Sequence, residues 1–174
     1  MTSKNIILTG FMGTGKTTIG QLVAAQLQRE FIDMDDLIES REGRPISHIF
    51  ANEGEPYFRR LEADLCRELA ERSGLVIATG GGALVPEANL RVMERTGLVI
   101  CLDCQPDVLW ERIGHSQHRP MLAAQDDGRF ARLAALLAQR TPAYGRIEHR
   151  LDVTRLTPSQ AAEQICHQLM EKPA

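Results

Sequence analysis

Short apolar segments recur along the chain, and stretches with a different periodicity separate them. Five segments are predicted strands, at residues 5–10, 30–35, 74–80, 97–103 and 149–154. Between them, apolar residues recur every three or four positions, as on one face of an amphipathic helix. Two such faces consist of Ile19, Leu22, Val23 and Leu27 and of Phe58, Leu61, Leu65 and Leu69. Strands that alternate with helices predict a parallel sheet covered on both faces.

Two regions interrupt this alternation. Residues 33–62 carry charged groups among short helical pieces, and residues 114–128 contain the glycine, proline and mixed charge of a loop. Near the end of the chain, residues 157–160 read Thr-Pro-Ser-Gln. This is a capping box with proline at the first helical position, and it predicts that a last helix follows.

Composition narrows the class of protein. A chain of 174 residues fits one globular domain with a sizeable core. The net charge of −3 gives no reason to expect a nucleic acid or a membrane as partner. No signal peptide and no membrane-length apolar stretch is recognised, so a cytoplasmic location is expected. Seventeen of the 20 basic residues are arginines, which grip carboxylates and phosphates with two hydrogen bonds.

Cysteine spacing does not indicate a metal site. Of the four cysteines, Cys101 and Cys104 form a C-x-x-C pair, and no second pair exists that could complete a zinc site. A redox pair is one interpretation. Apolar thiols near the end of a buried strand are the favoured one.

The strongest motif is GFMGTGKT at residues 10–17, which matches G-x-x-x-x-G-K-[ST]. A predicted strand precedes it and an amphipathic helix begins at its lysine. The loop N–H groups and the helix N-terminus are suited to cradle phosphates. Lys16 would reach the β- and γ-phosphates of a nucleotide, and Thr17 would bind Mg²⁺. The alternative, a glycine-rich turn without a ligand, fits this context poorly.

Acidic residues help to choose among nucleotide enzymes. No guanine-specifying N-K-x-D segment is found, and Asp103 is a weak candidate for the acidic residue of a motor ATPase. Asp33 and Asp35 end the second predicted strand, where ligands of open parallel sheets lie. One could hold Mg²⁺ through water, and the other could accept a proton from an attacking hydroxyl. Helix capping by Asp35 or Asp36 is the alternative, and it is compatible with these roles.

Several arginines are candidate ligands for anions. Arg59 and Arg60 lie about 100° apart around a helix, so both cannot point into one pocket. Glu62 follows Arg59 by three positions and can orient it. Arg119 lies in the predicted loop at 114–128, and Arg140 opens the segment RTPAY. Surface exposure is the general alternative for any arginine.

A second glycine run, TGGG at residues 79–82, ends the third predicted strand. Without Cβ atoms the backbone can approach a second substrate closely and offer it N–H donors. A tight turn before Pro86 is the alternative interpretation.

Taken together, these segments resemble the shikimate kinase family from end to end. They are GFMGTGKTTIG, FIDMDDLIE, IFANEGEPYFRRLE, ATGGGA, RPML and RTPAY, in this order. The resemblance implies an α/β, three-layer P-loop fold with a five-stranded parallel sheet, ordered 2-3-1-4-5 and flanked by helices. It implies one kinase domain over 1–174, with a core at 1–32, 63–113 and 129–174, a substrate-binding region at 33–62 and a lid at 114–128.

The resemblance also implies ATP-dependent phosphorylation of the 3-hydroxyl of shikimate, on the route to chorismate and aromatic amino acids. The implied ATP-binding positions are Gly13, Thr14, Gly15, Lys16, Thr17, Thr18, Arg112, Arg119 and Pro158. The implied shikimate-binding positions are Asp35, Arg59, Gly80, Gly81, Gly82 and Arg140.

Of these residues, three are implied to be catalytic: Lys16, Arg119 and Asp35, with Asp35 as the candidate base. The implied cofactor is Mg²⁺ at Thr17, with Asp33 acting through water. ATP and shikimate are the expected partners, without nucleic acid or membrane, and a monomer is expected.

Two other functions are considered. Another small-molecule P-loop kinase, such as a gluconate-type enzyme, lacks support from the Asp33/Asp35 pair and the Arg59/Arg140 set. A nucleotide-binding regulator without transferase activity is disfavoured by the same residues, because it would not need them.

Overall fold

The computed structural model describes residues 4–113 and 128–171. Over these residues the chain forms β1 (Asn5–Gly10), α1 (Lys16–Leu27), β2 (Glu30–Asp33), α2 (Met34–Glu42), α3 (Ile46–Glu53), α4 (Glu55–Ala70), β3 (Leu75–Ala78), α5 (Glu87–Thr96), β4 (Gly97–Asp103), α6 (Pro106–Ile113), α7 (Arg129–Tyr144), β5 (His149–Asp152) and α8 (Pro158–Glu171). All five predicted strands are therefore present, β1 and β4 with the predicted bounds and β2, β3 and β5 shorter than predicted. The predicted loop at 114–128, with Arg119, lies outside the described residues except for Gly128.

The five strands form one parallel sheet in the order β2-β3-β1-β4-β5, as the family resemblance implies. β1 lies at the centre, between β3 and β4. The loops that follow β1, β2 and β3 therefore leave the same edge of the sheet side by side. In an open parallel sheet, this carboxyl edge is where ligands bind.

Two apolar cores cover the two faces of the sheet. On one face, α1 and α8 pack on Ile6, Leu8 and Leu102. On the other face, helices α2 to α7 enclose a core around Ile7 and Ile77. Alternate residues of a strand point to opposite faces, which is why Ile6 and Ile7 belong to different cores. The result is the predicted three-layer α/β fold.

β2 is shorter than predicted. It ends at Asp33, and residues 34–35 begin α2 instead of continuing the strand. The Asp33 carboxylate accepts hydrogen bonds from the backbone N–H groups of Asp35 and Asp36, at 3.0 and 3.4 Å. The side chain thus caps α2, and the helix begins at Met34, within the segment that was predicted as strand. The alternative interpretation assigns capping to Asp35 or Asp36, whereas the residue that caps the helix is Asp33.

The predicted interruption at 33–62 consists of α2, α3 and the first half of α4. α4 continues without a break to Ala70, so the predicted limit at residue 62 falls inside one helix. The division of the domain into core, substrate-binding region and lid stays a prediction.

Three smaller expectations can be compared with the structure. The capping box of α8 is confirmed, because Thr157 and Gln160 exchange side chain to backbone hydrogen bonds of 2.9 and 3.2 Å. Cys101 and Cys104 carry free thiols. Burial raises the pKa of both, to about 12 for Cys101, so neither is a reactive thiolate. No helix in the described ranges is long and apolar enough to span a membrane.

Candidate active site

A cleft of about 870 Å³ opens at the carboxyl edge of the sheet. It runs between the loops after β1, β2 and β3 on one side and α3, α4 and α7 on the other. Most of the sequence-predicted site residues line it, namely Gly13, Gly15, Lys16, Thr17, Thr18, Asp33, Asp35, Arg59, Gly80, Gly81, Gly82, Arg112 and Arg140. Pro158 begins α8 and Thr14 is buried in its loop, so neither lines the cleft.

Hydrogen bonds within the loop between β1 and α1 fix its conformation. Nζ of Lys16 donates to the carbonyl oxygens of Gly10 and Phe11, each at 2.9 Å. The Thr14 hydroxyl donates to the same Phe11 carbonyl at 2.8 Å, so it shapes the loop from inside. Gly15 caps α1 with a φ of +91°, which glycine adopts without strain. The loop N–H groups and the α1 N-terminus form an anion-binding end of the cleft.

Beside this loop lie two oxygen-bearing side chains that could act as metal ligands, Thr17 and Asp33. The Thr17 hydroxyl donates to Oδ2 of Asp33 at 2.6 Å, while Oδ1 of Asp33 caps α2. The cap fixes the aspartate, so its second oxygen faces α1. No cluster of three or more His, Cys, Asp or Glu side chains suited to a metal occurs among the described residues. One hydroxyl and one carboxylate suit a divalent cation that keeps most of its waters and binds substrate phosphates.

Arg59 enters the cleft from α4 and is held by two carboxylates. Its Nη1 donates to Oε2 of Glu62 at 2.6 Å, and its Nε and Nη2 donate to Glu55 at 3.1 and 2.8 Å. Arg60, the next residue, instead lies 5.5 Å from the Tyr57 ring. The structure thus confirms that only one of the two arginines reaches the pocket and that Glu62 orients it.

Glu62 is a buried acid beside the cleft with a strongly perturbed pKa. The residue is only 1% exposed, and it lies on the inward face of α4. Burial raises the pKa of Glu62 to about 7, although the neighbouring Arg59 guanidinium opposes this shift. Desolvation therefore outweighs ion pairing at this carboxyl group.

We expect Glu62 to make the protein less stable as pH rises. The folded protein keeps the Glu62 proton up to about pH 7, whereas the unfolded chain releases it near the ordinary value of 4.5. Stability therefore falls between these pH values, by on the order of 3 kcal/mol. The glutamine side chain of Glu62→Gln does not ionise in this pH range, so it does not contribute this pH dependence. Urea unfolding at pH 5 and pH 8 should show the stability of Glu62→Gln improving relative to the wild type at the higher pH. If the difference in unfolding free energy between Glu62→Gln and the wild type is the same at both pH values, this expectation is wrong.

Arg140 reaches the opposite wall of the cleft from α7. The residue is 7% exposed, and its guanidinium lies 5.6 Å from the Phe11 ring. One turn later, the Tyr144 hydroxyl donates to the carbonyl oxygen of Gly81 at 2.6 Å and ties α7 to the glycine run. Arg59 and Arg140 thus present two guanidinium groups to one end of the cleft.

The glycine run makes room for functional side chains. A Cβ on Gly80 would lie 2.8 Å from Oδ1 of Asp35 and from Oε1 of Glu62, and one on Gly81 would lie 2.9 Å from Nη1 of Arg140. A Cβ on Gly82 would overlap the Arg59 guanidinium, 2.8 Å from Cζ. None of the three glycines has a positive φ. The absence of Cβ atoms therefore allows close approach to the backbone, as expected. The groups that approach it in the structure are side chains of the protein itself.

Some residues of the cleft were not predicted from the sequence. Ile46, Phe50, Phe58 and Met12 form an apolar wall, and His48 and Thr79 also line the cleft. Apolar helix residues give no sequence signal that distinguishes a cleft wall from the core. Asp103, the weak candidate for a motor ATPase acid, is held by Arg150 at 2.7 and 2.9 Å and does not line the cleft.

Comparisons with known proteins identify a family that this chain resembles over nearly its whole length. A family model described as "Shikimate kinase" matches residues 12–171. A shikimate kinase of Pelotomaculum thermopropionicum is 42% identical over 97% of this chain and 96% of its own length. A structure titled as shikimate kinase from Acinetobacter baumannii in complex with shikimate has a TM-score of 0.90 and 34% identity, over 97% of this chain and 94% of that one.

A gluconokinase structure from Sinorhizobium meliloti has a TM-score of 0.54 and 18% identity over 97% of this chain and 96% of that one, a likeness that extends to the fold alone. The other two matches have 34% and 42% identity over 97% of this chain, and the family model covers most of its length. The chain belongs to the shikimate kinase family.

Proposed function

We propose that this chain transfers the γ-phosphate of ATP to the 3-hydroxyl of shikimate and releases shikimate 3-phosphate and ADP. The reaction is a step of the shikimate pathway to chorismate and aromatic amino acids. One observation carries the proposal: a phosphate-binding loop and a pair of inward-pointing arginines share a single cleft. The loop suits a nucleotide, and the arginines suit a small carboxylate with several hydroxyl groups.

At the donor end, the N–H groups of Gly13, Thr14 and Gly15 and the N-terminus of α1 hold the ATP phosphates. Lys16 lies at the start of α1 with its ammonium group over the loop, where it can follow the transferring phosphate. Thr18 is the next residue of the helix and also lines the cleft. These groups act by charge neutralisation and positioning.

The cation in this proposal is Mg²⁺, held by the Thr17 hydroxyl and, through water, by Asp33. The oxygen-only pair at 2.6 Å fits such a hard ion. When bound, Mg²⁺ would neutralise charge on the β- and γ-phosphates.

At the acceptor end, Arg59 and Arg140 grip the shikimate carboxylate, and Gly80, Gly81 and Gly82 line the pocket. Asp35 orients the hydroxyl and accepts its proton. Arg119, outside the described residues, is proposed to reach the transferring phosphate. Arg112 and Pro158 are proposed to lie near adenine; Arg112 lines the cleft and donates to the carbonyl oxygen of Val153 at 3.2 Å.

Coupled measurement of ADP release tests the function. With purified protein, ATP and Mg²⁺, shikimate should support turnover, whereas gluconate and AMP should not. Turnover with gluconate but not with shikimate would replace the proposal by a gluconate-type kinase. ATP binding without turnover on any acceptor would indicate a nucleotide-binding regulator. The monomeric state and the cytoplasmic location stay predictions.

We expect Gly82→Ala to raise the KM for shikimate by about 10-fold or more, the worth of a hydrogen bond to a charged group. The added methyl group would displace the Arg59 guanidinium, while the backbone can accept alanine. The KM for ATP and the melting temperature should change little.

Gly145→Ala is the matched control for this substitution. Its methyl group would make ordinary contacts of 3.4 Å or more at the exposed end of α7. Steady-state kinetics of both variants decide the question. An unchanged KM for shikimate in Gly82→Ala would show that Arg59 does not need this space.

A further inference from the structure

Three buried oxygens at the carboxyl ends of β1 and β3 have no hydrogen-bond partner within the described protein. They are Oγ1 of Thr9, Oγ1 of Thr79 and Oε1 of Glu62. The three residues are 0%, 3% and 1% exposed. A buried oxygen without a partner costs free energy, and native proteins satisfy nearly all such groups. We therefore expect a polar group that can form hydrogen bonds with these three oxygens.

The two threonines are neighbours on adjacent strands. β1 and β3 pair in parallel, and the N–H of Thr79 donates to the carbonyl oxygen of Leu8 at 2.9 Å. Thr9 and Thr79 therefore lie side by side, about 5 Å apart across the sheet. By strand alternation, both hydroxyls face the side of Ile7 and Ile77, which α4 covers.

Glu62 approaches the same place from α4. Its Oε1 lies 2.8 Å from where a Cβ on Gly80 would be, and Gly80 directly follows Thr79 in the chain. Its other oxygen, Oε2, already accepts from Arg59. Oε1 is therefore the oxygen that faces the strand ends.

We propose that Thr79 is a positioning residue, whose hydroxyl holds one buried water against Oε1 of Glu62, with Oγ1 of Thr9 as the third partner. A single water is the smallest polar group that could bond oxygens as buried as these. Buried waters commonly make about three hydrogen bonds to groups that would otherwise be unsatisfied. Thr79 lines the cleft, which gives the water a route of entry.

The water has a consequence for the acceptor end. It donates a hydrogen bond to Glu62 and holds the carboxylate in the orientation in which Oε2 accepts from Arg59. Thr79 therefore acts on the substrate through Glu62 and Arg59, without touching it. The kinetic expectation rests on the proposed function, because the acceptor measured is shikimate.

Kinetics of Thr79→Val and Thr79→Ser test this role. Valine keeps the shape but removes the hydroxyl, so we expect the KM for shikimate to rise about 3- to 10-fold, the worth of one hydrogen bond, with kcat and the KM for ATP nearly unchanged. Serine restores the hydroxyl and should restore the KM. Thr96→Val is the control, since the Thr96 hydroxyl donates to the nearby Met93 carbonyl oxygen at 3.3 Å and Thr96 does not line the cleft. An unchanged KM in Thr79→Val would overturn the proposal.

Two further measurements test the water without depending on shikimate. If the Thr79 hydroxyl binds water, Thr79→Val lowers the melting temperature and serine restores it; if the hydroxyl is truly unsatisfied, valine raises it. A high-resolution crystal structure of the wild type should show an ordered water within hydrogen-bond distance of both Thr79 Oγ1 and Glu62 Oε1. A raised melting temperature, or no such water, overturns the proposal even if the protein phosphorylates another acceptor.

Discussion

Asp35→Asn is expected to lower kcat with shikimate by about 10²–10⁴, the usual worth of a general base, while ATP affinity stays within a few-fold. Asp35 lies in the first turn of α2 and lines the cleft, with Oδ1 beside Gly80. Asparagine keeps the shape and can still orient a hydroxyl group. It cannot accept the proton that the hydroxyl loses as the phosphate transfers.

Asp36→Asn is the matched control for this experiment. Asp36 is the next residue in the same turn of α2, and its removal changes the net charge by the same amount. Asp36 also borders the cleft, but its side chain is exposed and no substrate contact is proposed for it, so we expect kcat within about threefold of the wild type. Steady-state kinetics and ATP titration of both variants decide the role. Equal losses in both would indicate a general charge effect, and loss of ATP binding in Asp35→Asn would assign Asp35 to the nucleotide site.

Lys16→Met is expected to lower kcat/KM for ATP by about 10²–10³, as for the loss of one donor that stabilises transition-state charge. Nζ of Lys16 spans the loop through the Gly10 and Phe11 carbonyls, and it is placed to follow the phosphate during transfer. Methionine keeps the length and apolar stem of the side chain but removes its charge and its three donors.

Lys4→Met controls for the loss of one positive charge, because Lys4 is exposed and lies before β1. It should leave kcat/KM unchanged. Melting temperatures of both variants are needed, because the two loop hydrogen bonds also hold the phosphate-binding loop in shape. Turnover of Lys16→Met within tenfold of the wild type would show that the ammonium group does not act on the phosphate.

Periodicity and motif spacing predicted most of the secondary structure and the donor end of the site. β1 and β4 match their predicted bounds, because their apolar runs are buried on both sides and end at a glycine or an acid. The prediction for β2 was too long by two residues. The reason is local: Asp33 satisfies the N–H groups of the following turn, and capping outweighs the apolar Met34.

The acceptor end was predicted only in part. Arg59 and its orientation by Glu62 followed from the three-residue helical spacing, which is a local property. The near-complete burial of Glu62, which raises the pKa to about 7, did not follow, because it depends on what α4 packs against. Nor did the register of Thr79 beside Thr9, because strand pairing joins residues that are 70 positions apart.

The glycine run at 80–82 shows the difference between what the sequence determines and what the tertiary structure determines. The sequence by itself determined that the backbone here must lie close to something, since three residues without Cβ atoms follow a buried strand. Only the tertiary structure decided what lies close: Asp35, Glu62, Arg59 and Arg140, which come from three different helices. Local motifs determine which chemistry a chain carries, because their geometry is short-range. The environment of each group is set by packing, which no local pattern contains.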